Sequence, residues 1–237
     1  MGDVFRLRHF DVSHQNSTMK VGTDAFIIGS WLKIDPGCGR ILDVGTGCGI
    51  IALMMAQRTK AHIDAIDIDK PSVVEAHTNF CNSPWRSRLQ AIHASFPQFD
   101  PQEKYDWIVS NPPFFSNSLL PASERLRLAK HTITFPLIDF VKKSKTLLRP
   151  GGKLAVILPA DVSEMFTTAA IDLGFHIHEL LKIIPKDGKP ANRLVVILSL
   201  TGCLVPEEDT LVIRDKNGKY TAAYKLLTAD FHAEGYI

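Results

Sequence analysis

The sequence has few cysteines, and none of them has the spacing of a metal site or a disulfide framework. Cys38, Cys48, Cys81 and Cys203 form no C-x-x-C pair, and the nine histidines form no H-x-x-x-H pair. Such pairs are the usual sequence signals of zinc sites and redox-active dithiols. We therefore expect no metal and no disulfide in this protein.

The sequence also lacks a long apolar run and an excess of either charge. No stretch reaches the roughly 20 apolar residues of a transmembrane helix, and Met1 to Arg6 do not open a signal peptide. We therefore expect a cytoplasmic protein without membrane contact. The net charge of +2 is too small to indicate nucleic-acid binding over the whole surface, so any basic binding surface must be local.

What the sequence does have is an alternation of strand and helix patterns. A chain of 237 residues with 45% apolar residues can bury the core of one domain. Alternation of this kind predicts a parallel sheet covered by helices on both faces. Strands are predicted near 41–45, 63–67, 88–93, 105–110 and 153–158, and helices near 50–59, 71–82, 136–147 and 161–173.

The ends of the chain add to this core. Residues 1–35 are predicted to form an arm, with a short hairpin, and a helix whose N-cap is Thr23 or Asp24. Residues 36–200 form the core, which ends in two strands over 175–184 and 193–200. Residues 201–237 form an extension with a strand at 211–213, an Asn-Gly turn and a helix from about 221 to 231.

A glycine-rich stretch, Ile41–Leu53, joins the first core strand to its helix. Gly45, Gly47 and Gly49 alternate directly after Asp43, where a sharp turn needs residues without a Cβ. The spacing differs from the G-x-G-x-x-G of dinucleotide-binding proteins and resembles the first motif of the class I S-adenosylmethionine-dependent methyltransferases. The alternative is an ordinary tight turn that binds no ligand.

Asp67 follows the glycine loop by about twenty residues, at the end of the next strand. A carboxylate in this position can accept hydrogen bonds from both ribose hydroxyls of a nucleoside cofactor. The resemblance implies S-adenosyl-L-methionine as the cofactor. It also implies a Rossmann-like sheet of seven mostly parallel strands, with helices on both faces and an antiparallel hairpin at the edge.

Asp43, Asn111 and the three glycines of the loop are expected to bind the cofactor, and the resemblance implies other positions. Lys20, Gly22 and Thr23 are expected to lie against the glycine loop and close the pocket, and Ile68 follows the ribose-binding Asp67. Ser95 stands where related enzymes often carry an aspartate that accepts from the adenine amine. A hydroxyl can accept the same hydrogen bond, with less assistance from charge.

The fourth core strand ends in Asn111-Pro112-Pro113-Phe114. Two prolines cannot continue a central strand, so the chain leaves the sheet at its carboxyl edge, beside the cofactor. An exocyclic amine is a poor nucleophile because its lone pair is delocalised. The Asn111 side-chain oxygen and the Pro112 carbonyl can accept both of its N–H groups, which directs the lone pair at the methyl carbon and stabilises developing positive charge. Phe114 can stack on the extruded base.

The Asn-Pro-Pro-aromatic pattern alone leaves adenine-N6 methylation of RNA or DNA and methylation of glutamine amides open. A third alternative is an RNA-binding module without activity, although such a module does not need an intact catalytic motif. The absence of a helical domain before the core disfavours the glutamine enzymes.

Motifs outside the catalytic pattern resemble one bacterial family, the tRNA (adenine-N6)-methyltransferases that modify the adenosine 3′ of the anticodon in a valine tRNA. The resemblance covers about residues 5–231 and includes Asn111-Pro112-Pro113-Phe114. Its other motifs are Met19 to Asp24, Asn79 to Arg86, and Leu211 to Arg214 with Tyr220 and Tyr224.

Two basic segments are candidates for binding the anticodon stem-loop. The first carries Arg125, Arg127 and Lys130 in a long segment after the catalytic motif, and the second carries Lys186, Lys189 and Arg193 between the last two core strands. Long segments beside a site are commonly functional. Ordinary solvated surface charge is the alternative for both. We expect the protein to act as a monomer.

Overall fold

Ten strands and six helices are present in the computed structural model, which describes residues 4–17, 20–112, 134–202 and 205–232, with the backbone alone for 134–136. The strands are β1 (Val4–Arg6), β2 (Asp11–Ser13), β3 (Arg40–Val44), β4 (His62–Asp67), β5 (Leu89–His93), β6 (Tyr105–Ser110), β7 (Leu148–Pro159), β8 (His176–Ile184), β9 (Arg193–Ser199) and β10 (Glu207–Val212). The helices are α1 (Thr23–Trp31), α2 (Ile50–Arg58), α3 (Lys70–Cys81), α4 (Thr134–Leu147), α5 (Ala160–Asp172) and α6 (Ala222–Thr228).

The main sheet has the strand order β10-β8-β9-β7-β6-β3-β4-β5. Only β9 is antiparallel to its neighbours β7 and β8. The mostly parallel sheet and the antiparallel pair are therefore confirmed. The predicted count of seven strands is wrong, because β10 pairs in parallel with β8 and makes the sheet eight-stranded. The antiparallel pair consequently lies one strand inside the edge.

Alternate residues of the strands fill two cores. Ile41, Ile63 and Val109 belong to the core on one face, which also contains buried residues of α1, α2 and α3. Their neighbours in sequence, Leu42 and Ile108, belong to the core of the other face, under α4 and α5. This period of two on a sheet covered from both sides explains why the strands read as continuous apolar runs.

The N-terminal arm forms the expected hairpin, with β1 antiparallel to β2. The N-cap prediction is wrong, since α1 begins at Thr23 and its N-cap is Gly22, without a side-chain cap. The turn predicted before the fifth core strand lies within β7. Tyr105 pairs with Leu148 and Trp107 pairs with Lys153, so the intervening residues bulge out, with Gly151 at φ 76°.

Candidate active site

The carboxyl ends of β3 and β6 are fastened together. Val44 and Ser110 are register partners, and the Ser110 hydroxyl donates to the Val44 carbonyl at 2.8 Å. The glycine loop leaves the sheet from Val44, and Asn111 leaves it from Ser110. The hydrogen bond therefore fixes the starting points of the two segments that the sequence predicts to meet around the cofactor and the substrate.

The glycine loop is held by β4. The backbone N–H groups of Gly45 and Thr46 both donate to the Ile66 carbonyl, at 2.9 and 3.0 Å. Gly45, Gly47 and Gly49 have φ values of 73°, 55° and 84°, which disfavour any residue with a Cβ. A Cβ on Gly49 would lie 2.5 Å from the Phe80 ring, whereas one on Gly45 would meet nothing within 4 Å. The loop thus packs tightly against α3 and stays open on the other side.

Asp67 accepts hydrogen bonds from the glycine loop and can also accept them from a ligand. Its Oδ2 accepts from the Gly47 N–H and its Oδ1 from the Asp69 N–H, both at 2.9 Å. Each carboxylate oxygen can accept more than one hydrogen bond, so capacity for ribose hydroxyls remains. Ile68 is 73% exposed, and an apolar side chain so exposed beside Asp67 fits contact with a flat adenine ring. Ser95 lies at the end of β5, directly after Ala94, whose N–H donates to the Asp67 carbonyl.

Asp43 lies beneath the loop and is fully buried. Its Oδ2 accepts from the Thr46 hydroxyl at 2.7 Å, while its Oδ1 accepts no hydrogen bond from the described residues. Burial raises the pKa of this carboxyl to about 7, against the effect of the Thr46 hydroxyl. Asp43 therefore positions the loop from below and does not line the cleft.

The cleft at this edge combines the loop with two other segments. It is lined by Lys20, Ala25, Gly45, Thr46, Gly47, Cys48, Ile50, Ile51 and Asn111. Lys20 and the glycine loop are thus brought together as predicted. Gly22 and Thr23 belong to the same segment as Lys20 and Ala25 but are not among the lining residues. The open glycine backbone, the apolar wall and the nearby carboxylate suit S-adenosyl-L-methionine.

A buried carboxylate holds the N-terminal arm over the cleft. Glu75 of α3 accepts from the backbone N–H groups of Gln15, Asn16 and Ser17, at 2.7, 3.1 and 2.8 Å, and from the Ser13 hydroxyl at 3.0 Å. Although burial favours the protonated acid, these donors lower the pKa of Glu75 below its usual value. The charge of Glu75 is therefore used to order the arm.

Asn79 connects the arm to the glycine loop. Its amide nitrogen donates to the Ser13 and Cys48 carbonyls, both at 2.8 Å, and its oxygen accepts from the Ser13 N–H. On the arm, the Lys20 ammonium donates to the His14 and Gln15 carbonyls. One side chain thus positions both the loop and the segment that covers it.

Sequence reasoning missed Glu75, and it gave Asn79 no role of its own beyond the motif that this residue begins. With Ser72 they are buried polar residues at positions i, i+3 and i+7 of α3, which also buries the apolar Ala76 and Phe80. A polar stripe on the buried face of a helix requires partners from another segment, because buried polar groups are normally hydrogen-bonded. That spacing is the signal that could have identified them.

Asn111 lines the cleft and Pro112 follows it in the chain, and both residues are half-buried. The Asn111 side chain makes no hydrogen bond to any other described residue. Pro113 and Phe114 lie outside the described residues. The first basic segment, with Arg125, Arg127 and Lys130, lies outside them too.

The second basic segment follows β8 at the same edge of the sheet. β8 is antiparallel to β9, which is antiparallel to β7, so β8 ends on the same side as β6. Lys186 and Lys189 are exposed. The sequence predicts that Arg193 binds RNA. In the structure its Nε donates to the Asp24 carboxylate in the first turn of α1, at 3.0 Å. This ion pair joins the basic segment to the helix that borders the cleft.

The described part of the chain contains neither a candidate membrane span nor a candidate metal centre. No helix in it is long and apolar enough to cross a membrane. No group of three or more histidine, cysteine, aspartate or glutamate side chains within it is arranged to hold a metal ion.

Comparison with known proteins identifies the family of this chain. The profile of the methyltransferase small domain family matches residues 17–171. A protein of Parabacteroides distasonis named tRNA1(Val) (adenine(37)-N6)-methyltransferase is 37% identical over 230 residues, which cover 96% of this chain and 97% of that protein. A protein of the same name from Tolumonas auensis is 36% identical over 98% of this chain and 97% of its own length.

Solved structures agree on the fold. A predicted O-methyltransferase from Agrobacterium tumefaciens superposes with a TM-score of 0.69 at 19% identity, covering 88% of this chain and 96% of its own. The glycopeptide N-methyltransferase MtfA in complex with S-adenosylmethionine gives a TM-score of 0.55 at 11% identity, covering 77% and 96%. The chain therefore belongs to the methyltransferase small domain family, and within it to the group of the tRNA1(Val) (adenine(37)-N6)-methyltransferases.

Proposed function

We propose that this enzyme transfers a methyl group from S-adenosyl-L-methionine to the exocyclic N6 of the adenosine 3′ of the anticodon in a valine tRNA. The observation that carries the proposal is the position of Asn111, the residue before Pro112, in the lining of a cleft built by the glycine loop. The full-length relatives named for this reaction support the choice of tRNA over a glutamine amide.

The cofactor supplies an electrophilic methyl group on a sulfonium. We expect Gly45, Gly47 and Gly49 to contact its methionine part, and Asp67 to accept from its ribose hydroxyls. We expect Ile68 and Ser95 to contact its adenine. Lys20 would close the cleft from the arm, with Gly22 and Thr23 shaping the backbone between the arm and α1. Asp43 supports the loop from below.

Asn111 and Pro112 prepare the nucleophile. The Asn111 Oδ1 and the Pro112 carbonyl can each accept one N–H of the adenine amine, which turns the lone pair out of the ring plane. The two acceptors also stabilise the positive charge that develops on N6 as the new bond forms. No general base is needed before transfer, since the proton becomes acidic only afterwards. Pro113 would keep this turn stiff, and Phe114 would stack on the base.

The tRNA would be held by basic side chains around the cleft. Lys186 and Lys189 are exposed at the same edge, and Arg125, Arg127 and Lys130 follow the catalytic motif in the sequence. Arg193 would contribute chiefly through its ion pair with Asp24. We expect the reaction to take place in the cytoplasm, where tRNA is modified, and to need one copy of the chain, because one chain supplies every predicted cofactor contact.

The direct test is nucleoside analysis after reaction. The purified protein is incubated with labelled S-adenosylmethionine and a valine tRNA transcript, and the digested nucleosides are separated. We expect labelled N6-methyladenosine, which disappears when the target adenosine is replaced by guanosine and when the Asn111→Ala variant is used. Label in a protein glutamine after incubation with cell extract, without label in tRNA, would contradict the proposal.

A further inference from the structure

The C-terminal extension brings a second turn to the edge of the sheet that carries the cleft. β10 runs parallel to β8, so both strands end at this edge. The Asp187 N–H donates to the Arg214 carbonyl at 2.8 Å, and the Ile213 N–H donates to the Ile184 carbonyl at 2.9 Å. The turn after β10 and the loop after β8 are therefore joined by backbone hydrogen bonds into one structural unit.

This unit presents five exposed cations, which we call the two-turn surface. They are Lys186, Lys189, Arg214, Lys216 and Lys219. None of the five forms an ion pair with another described residue. The acids within the unit are Asp187 and Asp215, so positive charge predominates.

Both turns are rigid. The Lys189 N–H donates to the Lys186 carbonyl, and Gly188 takes a φ of 79°. In the second turn the Asp215 carboxylate accepts from the N–H groups of Asn217 and Lys219, both at 2.9 Å. The charge of Asp215 is thereby directed into the turn. Fixed turns present their cations in a defined arrangement, which lowers the entropy lost on binding.

Arg214 is the most strongly oriented of the five cations. Its guanidinium lies 4.1 Å from the centre of the Tyr220 ring, and its Nη1 donates to the Gly218 carbonyl at 2.7 Å. Tyr220 in turn stacks on the buried Tyr224, with ring centres 4.8 Å apart and planes inclined by 15°. These two contacts restrain the guanidinium, whose remaining N–H groups can bind a phosphate with two hydrogen bonds.

The position of the surface relative to the cleft indicates what it binds. β10 and β8 lie four and three strands from β6, which places the turns roughly 14–19 Å from Asn111 at the usual strand spacing. This distance corresponds to about five nucleotides along a stacked helical strand. When a loop nucleotide occupies the cleft, the two turns would therefore contact the paired stem that adjoins the loop. They would not contact the loop itself.

From these observations we infer that the two-turn surface binds the phosphate backbone of the anticodon stem while the loop adenosine occupies the cleft. The inference rests on the proposed function and extends it to the C-terminal extension. Tyr220 and Tyr224 act as positioning residues, because they hold Arg214 and do not offer a free ring face to a base. The surface fixes the tRNA and contributes no sequence readout.

The test compares two charge-matched variants of the full chain. In one, Arg214, Lys216 and Lys219 are changed to Ala; in the control, the exposed amino-edge residues Lys33, Lys60 and Lys104 are changed to Ala. Each lost phosphate contact lowers the salt slope of binding by about 0.7–0.9. We expect the first variant to lose about 2–3 units of slope and to bind tRNA roughly tenfold to hundredfold more weakly at 0.15 M salt. The control is expected to match the parent.

Further measurements separate the outcomes. The first variant is expected to keep its kcat at saturating tRNA and its calorimetric affinity for S-adenosylmethionine, and to bind a short oligonucleotide of the anticodon loop alone like the parent. Tyr220→Leu is expected to reproduce part of the loss, and Tyr220→Phe is not. An unchanged salt slope in the first variant, while the parent methylates tRNA, overturns this inference alone. Loss of binding to anionic phospholipid vesicles without loss of tRNA binding overturns it as well.

Discussion

The two edges of the main sheet use charged residues in opposite ways. At the amino edge, Arg40 pairs with Asp64 at 2.6 Å and with Glu103 at 3.0 Å, and Arg149 pairs with Asp106 at 3.1 Å. These five charges therefore all have an ion-pair partner. At the carboxyl edge the five cations of the two-turn surface form no ion pair with a described residue. One oxygen of the buried Asp43 accepts no hydrogen bond from a described residue.

This difference separates the charges that stabilise the fold from those available for function. Asp106 accepts hydrogen bonds from the Gly39 and Arg40 N–H groups, both at 2.8 Å. Its carboxylate therefore fixes the start of β3 against β6. Although burial opposes it, these donors lower the pKa of Asp106. At the opposite end of β6, five residues along, Asn111 makes no such bond with a described residue. Substitutions at the two ends of one strand are therefore expected to affect different measurements.

The largest effect is expected from Asn111→Ala. Loss of one acceptor for the adenine amine is expected to lower turnover by about 2.7–4 kcal/mol of transition-state stabilisation, as removal of one oxyanion-hole donor does. Cofactor affinity and stability are expected to change little, because Asn111 supports no described element. Single-turnover kinetics with calorimetry of cofactor binding measure both quantities. Near-normal turnover would remove Asn111 from the mechanism.

Asp43→Asn is expected to change stability, with the opposite pH dependence to a paired carboxylate. Because the folded-state pKa is raised from 3.8 to about 7, the folded state holds this proton more tightly than the unfolded chain. The resulting stability is full below about pH 4 and is lost as the pH rises towards 7. The variant cannot titrate and keeps an acceptor for Thr46. Its stability relative to the parent is expected to increase by a few kcal/mol between pH 4 and 8.

Denaturant unfolding of parent and Asp43→Asn at several pH values provides the measurement. Asp106→Asn is the matched control, since the pKa of Asp106 is lowered and its contribution is lost as the pH falls. The difference between parent and variant is expected to slope in opposite directions for the two acids. A pH-independent difference for Asp43→Asn would show that Asp43 is ionised in the fold.

Asp67→Asn is expected to weaken S-adenosylmethionine binding. The amide keeps one acceptor but loses the charge that strengthens hydrogen bonds from ribose hydroxyls, a loss of about 1.5–3 kcal/mol. Asp69→Asn is a close control, because Asp69 lies two residues away and caps α3 through the Ser72 N–H. Calorimetry on both folded variants distinguishes a ribose contact from a local disturbance. Equal affinities would refute the ribose assignment.

Asp106→Ala tests the amino edge alone. It leaves two backbone N–H groups and the Arg149 guanidinium without their acceptor, which is expected to cost about 1–3 kcal/mol of folding free energy. Turnover of the folded variant is expected to equal that of the parent, since Asp106 lies at the far end of β6 from the cleft. Reduced turnover without a loss of stability would contradict the division between the edges.

The sequence predicts this architecture well where the pattern is local. The alternation of apolar strands and helices, the glycine loop and the Asn-Pro-Pro exit all depend on neighbouring residues, and the strands and helices fall within a few residues of prediction. Gly22 replaces Thr23 or Asp24 as the N-cap of α1, and the Asp24 carboxylate pairs instead with the distant Arg193.

Contacts between distant segments could not be predicted. Glu75 and the arm it holds are about sixty residues apart, and Arg193 and Asp24 are separated by 169 residues. β10 pairs with β8 because the chain returns to that side of the sheet after β9. The sequence pattern of β10 does not specify this choice. The same applies to the two-turn surface, whose cations come from two turns that only the sheet brings together.

The smallest effect is expected from Tyr105→Phe, which removes one hydrogen bond from the amino edge. The Tyr105 hydroxyl is buried and donates to the Asp64 Oδ2 at 2.7 Å. Asp64 keeps its contact with Arg40, so the loss is expected to be about 1 kcal/mol. Burial, followed by the Asp64 carboxylate, raises the pKa of Tyr105, and the stability it confers is therefore full below pH 10 and lost as the pH rises above it.

The variant is accordingly expected to lie below the parent in unfolding free energy at pH 8 and to approach it above pH 10. Tyr224→Phe provides the comparison at the other edge. The pKa of Tyr224 is also raised by burial, to about 12, but no described residue accepts from its hydroxyl. Tyr224→Phe is therefore expected to lose less unfolding free energy at pH 8 than Tyr105→Phe does. A gap between parent and Tyr105→Phe that stays constant from pH 8 to 11 would mean that the phenol does not stabilise the amino edge by donating its proton.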